Sequence, residues 1–186
     1  MLYRQIEFLE IIQELFRIDF SLSLFIVGRT FVKSTMILLS TLQYLTSQKI
    51  KDAGILFQKR RNNGSIYLMG YALEFTLKRK ISVTFGFTNG FPETGAELNS
   101  YSSQINLFHS LNTGIQLNRI VQLRHHRLNE LLTYSGERAR ILALFYPEWQ
   151  TVSAWNPEDR YVRQRITRRR TVEFMHSARL ILREIA

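Results

Sequence analysis

Apolar residues recur at helical spacing along much of this chain. In residues 2–16, Ile6, Leu9, Ile12 and Phe16 fall three or four apart, the spacing of one helix face. Residues 20–35 stay apolar but less regular, and residues 1–35 read together as an N-terminal helical extension. Leu38, Leu42, Leu45, Ala53 and Leu56 then form a new stripe, and its helix runs into Lys59-Arg60-Arg61, cations that suit a C-terminal dipole. Asn62-Asn63-Gly64 offers a turn that tolerates positive φ, with Ser65 as the N-cap of a helix over 65–83. The stripe of that helix is Ile66, Gly70, Leu73, Leu77 and Ile81, and its glycine predicts a close helix crossing. Glu74 and Lys78 stand four apart in the order that favours an ion pair.

The periodicity fades over 84–114, where Gly, Asn, Ser, Thr and Pro92 dominate, which predicts a long loop. Helical signals return over 115–132, 138–149 and 170–185, with Pro147 near the end of the middle element or bending it. In the last, Val172, Met175, Ala178, Leu182 and Ile185 form the expected core face. There is no period-two alternation, repeat or βαβ rhythm. The expected fold is all-α, an antiparallel helical bundle over 36–186 with one long loop and the N-terminal extension. Met36 is an alternative start that would omit the extension.

Composition narrows the chemistry. A 45% hydrophobic fraction over 186 residues supports one domain with a real core. The lack of cysteine removes disulfides and cysteine-ligated zinc, and the four histidines sit in no metal-binding spacing, so neither metal nor cofactor is expected. The apolar stretches 20–28 and 36–45 are too short to span a bilayer and lack a signal-cleavage pattern. A cytoplasmic protein without a membrane partner is the simplest expectation.

The net charge of +10 favours a polyanionic partner. Arg160, Arg163, Arg165, Arg168, Arg169 and Arg170 concentrate that charge without an intervening acid, and Arg124 and Arg127 extend it. They read as a phosphate-binding surface or as a solvated basic loop. The loop aromatics Phe85, Phe87, Phe91 and Tyr101 either stack on bases or cover the bundle, while Trp149 and Trp155 read as core.

Three segments carry a resemblance: Gly70-Tyr71-Ala72-Leu73-Glu74-Phe75-Thr76-Leu77-Lys78, His126-Arg127-Leu128-Asn129-Glu130-Leu131 and Trp155-Asn156-Pro157-Glu158-Asp159-Arg160-Tyr161. In this order they resemble the motifs of bacterial HEPN (higher eukaryotes and prokaryotes nucleotide-binding) domains, over residues 38–185, with Arg127 where aspartate is usual. The resemblance implies a homodimer that binds RNA or a nucleotide in a stress, toxin–antitoxin or defence system. In active members it implies metal-independent RNA cleavage, in which an arginine holds the scissile phosphate and a histidine a few residues later moves a proton. That spacing occurs at Arg119 with His125 or His126 and at Arg169 or Arg170 with His176, although Ile120 in the one case and Arg170 or Thr171 in the other stand where a polar residue, often asparagine, follows the family's arginine. The alternative is a non-catalytic interaction module that partners a nucleotidyltransferase. Glu74, Lys78, His126, Arg160 and Tyr161 then read as structural, with Arg160 as the expected partner of Glu74 and His126 bracing a helix.

Overall fold

Two long helices joined by a tight turn frame the molecule. The computed structural model describes residues 36–111, 114–161 and 165–185. The extension expected over 1–35, and Arg163 of the basic segment, lie outside the described residues. Helix α1 (Leu39–Gln58) turns back into α2 (Asn62–Phe85), which α1, α5 (Leu128–Tyr134) and α8 (Arg168–Ile185) surround. The core runs along α2 through Met69, Ala72, Leu73, Leu77 and Ile81. Among the described residues, regular structure is helical apart from one isolated bridge between Ile37 and Phe91. No described helix is long and apolar enough to cross a membrane.

The α1–α2 turn lies earlier than the expected Asn62–Gly64. Arg60 takes the left-handed conformation at φ 57°, and its N–H bonds to Phe57 O while that of Arg61 bonds to Leu56 O. This is a Schellman closure with arginine in the position glycine usually fills, at a cost of about 1–2 kcal/mol. Positive φ is thus used up before Asn62, so Asn62, Asn63 and Gly64 enter α2 as its first turn. Ser65 is therefore not an N-cap. Its buried hydroxyl donates to Ala53 O at 2.9 Å and to Met175 Sδ at 3.3 Å, which links α2 to both α1 and α8. Gly70 marks an indole rather than a helix crossing: a Cβ there would lie 2.1 Å from Trp155 Cε2.

The expected loop over 84–114 contains two helices, α3 (Gly95–Asn99) and α4 (Ser102–Leu111). Thr94 and Glu97 close a capping box that starts α3, with Glu97 N–H donating to Thr94 Oγ1 and Thr94 N–H to Glu97 Oε2. The loop aromatics cover the bundle. Phe85, Phe87, Phe91 and Tyr101 are all buried, with ring centroids 5.7 Å apart for Phe85–Phe87 and 4.6 Å for Phe87–Tyr101. The Tyr101 hydroxyl accepts from Asn89 N–H and donates to Gly90 O. Gly90, at φ 125°, lets the backbone of Ile37 approach, because a Cβ would stand 2.8 Å from Ile37 O.

Three expected helices also change. Over 115–132 only a 3-10 turn (Ile120–Gln122) and α5 are helical. The Gln122 side chain accepts from the N–H groups of Asn118 and Arg119 and so competes with a continuous ladder. The helix expected over 138–149 divides at Phe145, φ −135°, into α6 (Arg138–Leu144) and α7 (Tyr146–Ser153). Pro147 lacks an N–H and sits in the first turn of α7, where none is needed. In α8 the inward stripe is Thr171, Phe174, Met175, Ala178, Ile181, Leu182 and Ile185, and Val172 faces outward at 47% exposure. Thr171 can be buried because its hydroxyl donates to Thr167 O.

Candidate functional site

Helix α2 supplies one wall. Tyr67, Tyr71, Glu74 and Lys78 follow one another at i, i+4, i+7 and i+11, so they share a face. Glu74 is 1% exposed and its two oxygens have separate partners: Lys78 Nζ at 2.9 Å and His126 Nδ1 at 2.7 Å. The expected partner, Arg160, is elsewhere. It stands on the outer 3-10 turn Pro157–Tyr161, donates Nη1 to the Tyr67 hydroxyl at 2.6 Å and Nη2 to the Tyr161 hydroxyl, and lies 4.5 Å from the Tyr161 ring centroid. Both acceptors are neutral and near the surface, so the guanidinium keeps solvent contact that a buried carboxylate would deny it.

Tyr71 connects these groups. Its ring meets those of Tyr67, Trp155 and His126 edge-on, at centroid distances of 5.0, 5.2 and 5.8 Å. Burial, helped by the hydrogen bond with Tyr67, pushes the Tyr71 phenol up to about 12, so it stays a hydroxyl. The hydrogen bond with Tyr71 pulls the Tyr67 phenol below its ordinary value, and Arg160 adds to this against the opposing effect of burial.

The other wall is the segment before α5. Together the walls enclose an open cleft of about 880 Å³, lined by Tyr71, Arg124, His125, His126, Arg127, Asn129, Glu130, Trp155, Glu158, Arg160 and Tyr161. His126 is 51% exposed. An ionised Glu74 can only accept, so Nδ1 carries the ring proton and a neutral His126 presents the lone pair of Nε2 as its free nitrogen. That is the form a general base needs.

His125 is placed differently. It is 11% exposed, its Nδ1 accepts from Arg127 N–H at 3.2 Å, and its Nε2 lies 3.0 Å from Glu130 Oε2 without the alignment of a hydrogen bond. Burial pulls its pKa below the usual imidazole value, with Glu130 opposing. Arg127 pairs with Glu130 at 2.9 Å, while Arg124 is exposed and has no acidic partner among the described residues.

The structure thus brings His125, His126, Arg124, Arg127, Arg160 and Tyr161 to one cleft. Arg119 is exposed and does not line it. Arg170 and His176 are exposed on α8, six residues apart, which turns them about 120° from each other with a rise of about 9 Å. The arginine run is also dispersed. Arg168 lies 3.4 Å over the Phe57 ring and donates to Phe57 O, Arg169 pairs with Glu173 at 3.0 Å, and Arg165 faces a second groove with Arg60 and Arg61. Sequence reasoning passed over Tyr67, Tyr71 and the wall formed by Trp155, although the 67–71–74–78 spacing was the signal for the first two.

Among the described residues, no group of three or more histidines or carboxylates is arranged to hold a metal. No protein-family model, curated protein or solved structure matches this chain.

Proposed function

We propose that this cleft binds RNA or a nucleotide, as the HEPN resemblance implies, and that its catalytic form is metal-independent RNA cleavage with His126 as the proton-transfer group. The observation that carries the reading is the placement of His126. A buried carboxylate orients it from behind, and Arg124, Arg127 and Arg160 stand around the same cleft. Arginine forks suit phosphate oxygens, and the rings of Tyr71 and Tyr161 offer faces for a base. In cleavage, Nε2 of His126 takes the proton of a ribose 2′-hydroxyl as that oxygen attacks the adjacent phosphorus. The arginines meet the charge on the phosphoryl oxygens, and the 5′-oxygen leaves with a proton from solvent.

One observation favours the non-catalytic alternative, a module whose arginines meet the nucleotide or an acidic surface of a partner such as a nucleotidyltransferase. The spaced arginine–histidine pairs do not assemble, since Arg119 lies off the cleft that His125 and His126 line. In either form the protein acts as a homodimer in a stress, toxin–antitoxin or defence setting.

The test is RNA binding and cleavage by the full chain in EDTA, with Arg124→Ala/Arg160→Ala, His126→Ala and His176→Ala for comparison. Binding is expected to fall in the arginine variant, and cleavage to vanish in His126→Ala alone. Binding without cleavage leaves the interaction module. Absence of binding to RNA and to mononucleotides overturns the reading.

A further inference from the structure

The cleft is the first of three depressions that share their walls. Trp155, Asn156 and Arg160 line both the cleft and a slot of about 230 Å³ beside Tyr67. Asn63, Gly64 and Ile166 line both that slot and a groove of about 600 Å³. At the far end of the groove stand Arg60, Arg61 and Arg165, and none of the three is ion-paired among the described residues. Their positions are fixed by the backbone. Asn62 Nδ2 donates to Ile166 O at 3.0 Å and Ile166 N–H donates to Asn63 Oδ1 at 3.1 Å, so Arg165 is held against the α1–α2 turn. The left-handed Arg60 turns the chain at the same place.

We infer that the three depressions form one track for a single-stranded RNA of several nucleotides. The inference rests on the cleft reading above and adds the substrate class. Glu74, beneath His126, and Asn62, at the groove, are twelve residues apart on α2, which sets the track length at about 18 Å. A mononucleotide cannot reach from one end to the other. Arginines stand at the cleft, at the midpoint through Arg160, and at the far end, while Asp159 is the acid that lines the slot. This alternation of cationic stations with the half-buried ring of Tyr67 and the exposed ring of Tyr161 suits a flexible strand, whose phosphates and bases both need partners. A rigid duplex would not follow a path that narrows at the slot.

The test compares an RNA of about eight nucleotides, within the site sizes of single-strand-binding grooves, with adenosine monophosphate. Affinities are measured for the wild type and for Arg60→Gln/Arg61→Gln/Arg165→Gln across a salt series. The triple variant is expected to bind the RNA about tenfold or more weakly and to lower the salt slope by about 2, while adenosine monophosphate binds unchanged. Arg61→Gln and Arg165→Gln alone, each expected to lower the slope by about 0.7, serve if the triple variant fails to fold. RNA affinity and salt slope equal to wild type in the variants overturn the track, as does wild-type RNA binding no tighter than that of the monophosphate. Binding of neither ligand by the wild type overturns the cleft reading and the track with it.

Discussion

Glu74 Oε2 and His126 Nδ1 lie 2.7 Å apart, one atom sealed in the core and the other on a ring half in solvent. The contact joins the packing of α2 to the chemistry of the cleft. Lys78, on the other oxygen, is itself nearly buried. Glu74→Ala would leave that ammonium without its carboxylate, with the Phe91 ring centroid 5.3 Å away. Urea unfolding is expected to show a loss of about 3–5 kcal/mol for Glu74→Ala, with a smaller loss for Lys78→Met, whose chain still fills the space. Equal stability of Glu74→Ala and wild type would remove the carboxylate from this role.

Gly70→Ala gains up to about 1 kcal/mol of helix propensity and meets an indole at 2.1 Å. Overpacking of that kind costs about 1–3 kcal/mol, so the net change is a lower urea midpoint. Ligand binding should suffer more than stability, because the ring that must move is a wall of the cleft. A raised midpoint would show that Trp155 is not seated on Gly70.

Glu137 gives a pH signature. Burial pushes its carboxyl up, but hydrogen bonds from Lys80 at 2.8 Å and Arg140 at 2.7 Å outweigh this and hold it below the ordinary value of about 4.5. A folded value depressed in this way gives stability that is present above the unfolded value and lost as pH falls through the folded one. The stability gap between wild type and Glu137→Gln should therefore be constant near neutrality and narrow below about pH 4.5. A gap that stays constant into acid would assign the effect to packing.

The arginines separate into members that line the cleft, such as Arg124, and members that pack on the helices, such as Arg168. Arg168 covers the Phe57 ring and donates to its carbonyl, so Arg168→Ala should lower stability by about 1–2 kcal/mol and leave RNA affinity within about twofold. Arg124→Ala should do the reverse, with unchanged unfolding and weaker binding. Thermal melts and anisotropy on the same two variants check both halves.

The frame was legible because its signals are local. The stripe of α2, that of α1 apart from Leu38, which precedes the helix and is 55% exposed, the Glu74–Lys78 spacing and the segments around 70–78, 126–131 and 155–161 all mark what the structure uses: Trp155 sits on Gly70, His126 on Glu74 and Arg160 on Tyr67. What sequence reasoning missed depends on partners far along the chain. Ser65 has the chemistry of a cap but finds Ala53 and Met175 instead. Arg160 has the charge to meet Glu74, yet burial of that carboxylate admits a histidine and a lysine and keeps the guanidinium outside. The helices within 84–114 are short, and they hold because Leu98 and Ile105, with Tyr101 between the two helices, reach the core, a tertiary effect that periodicity does not report.

The seat of Trp155 on Gly70 has an optical consequence. The chain has two tryptophans, and their surroundings differ. Trp149 is 3% exposed and its Nε1 donates to Asn129 Oδ1 at 2.8 Å, whereas Trp155 borders the cleft and its buried Nε1 meets no acceptor among the described residues. A Trp149→Phe chain would emit from the cleft wall alone. Its fluorescence would then count filled clefts directly, without a label on either the protein or the ligand.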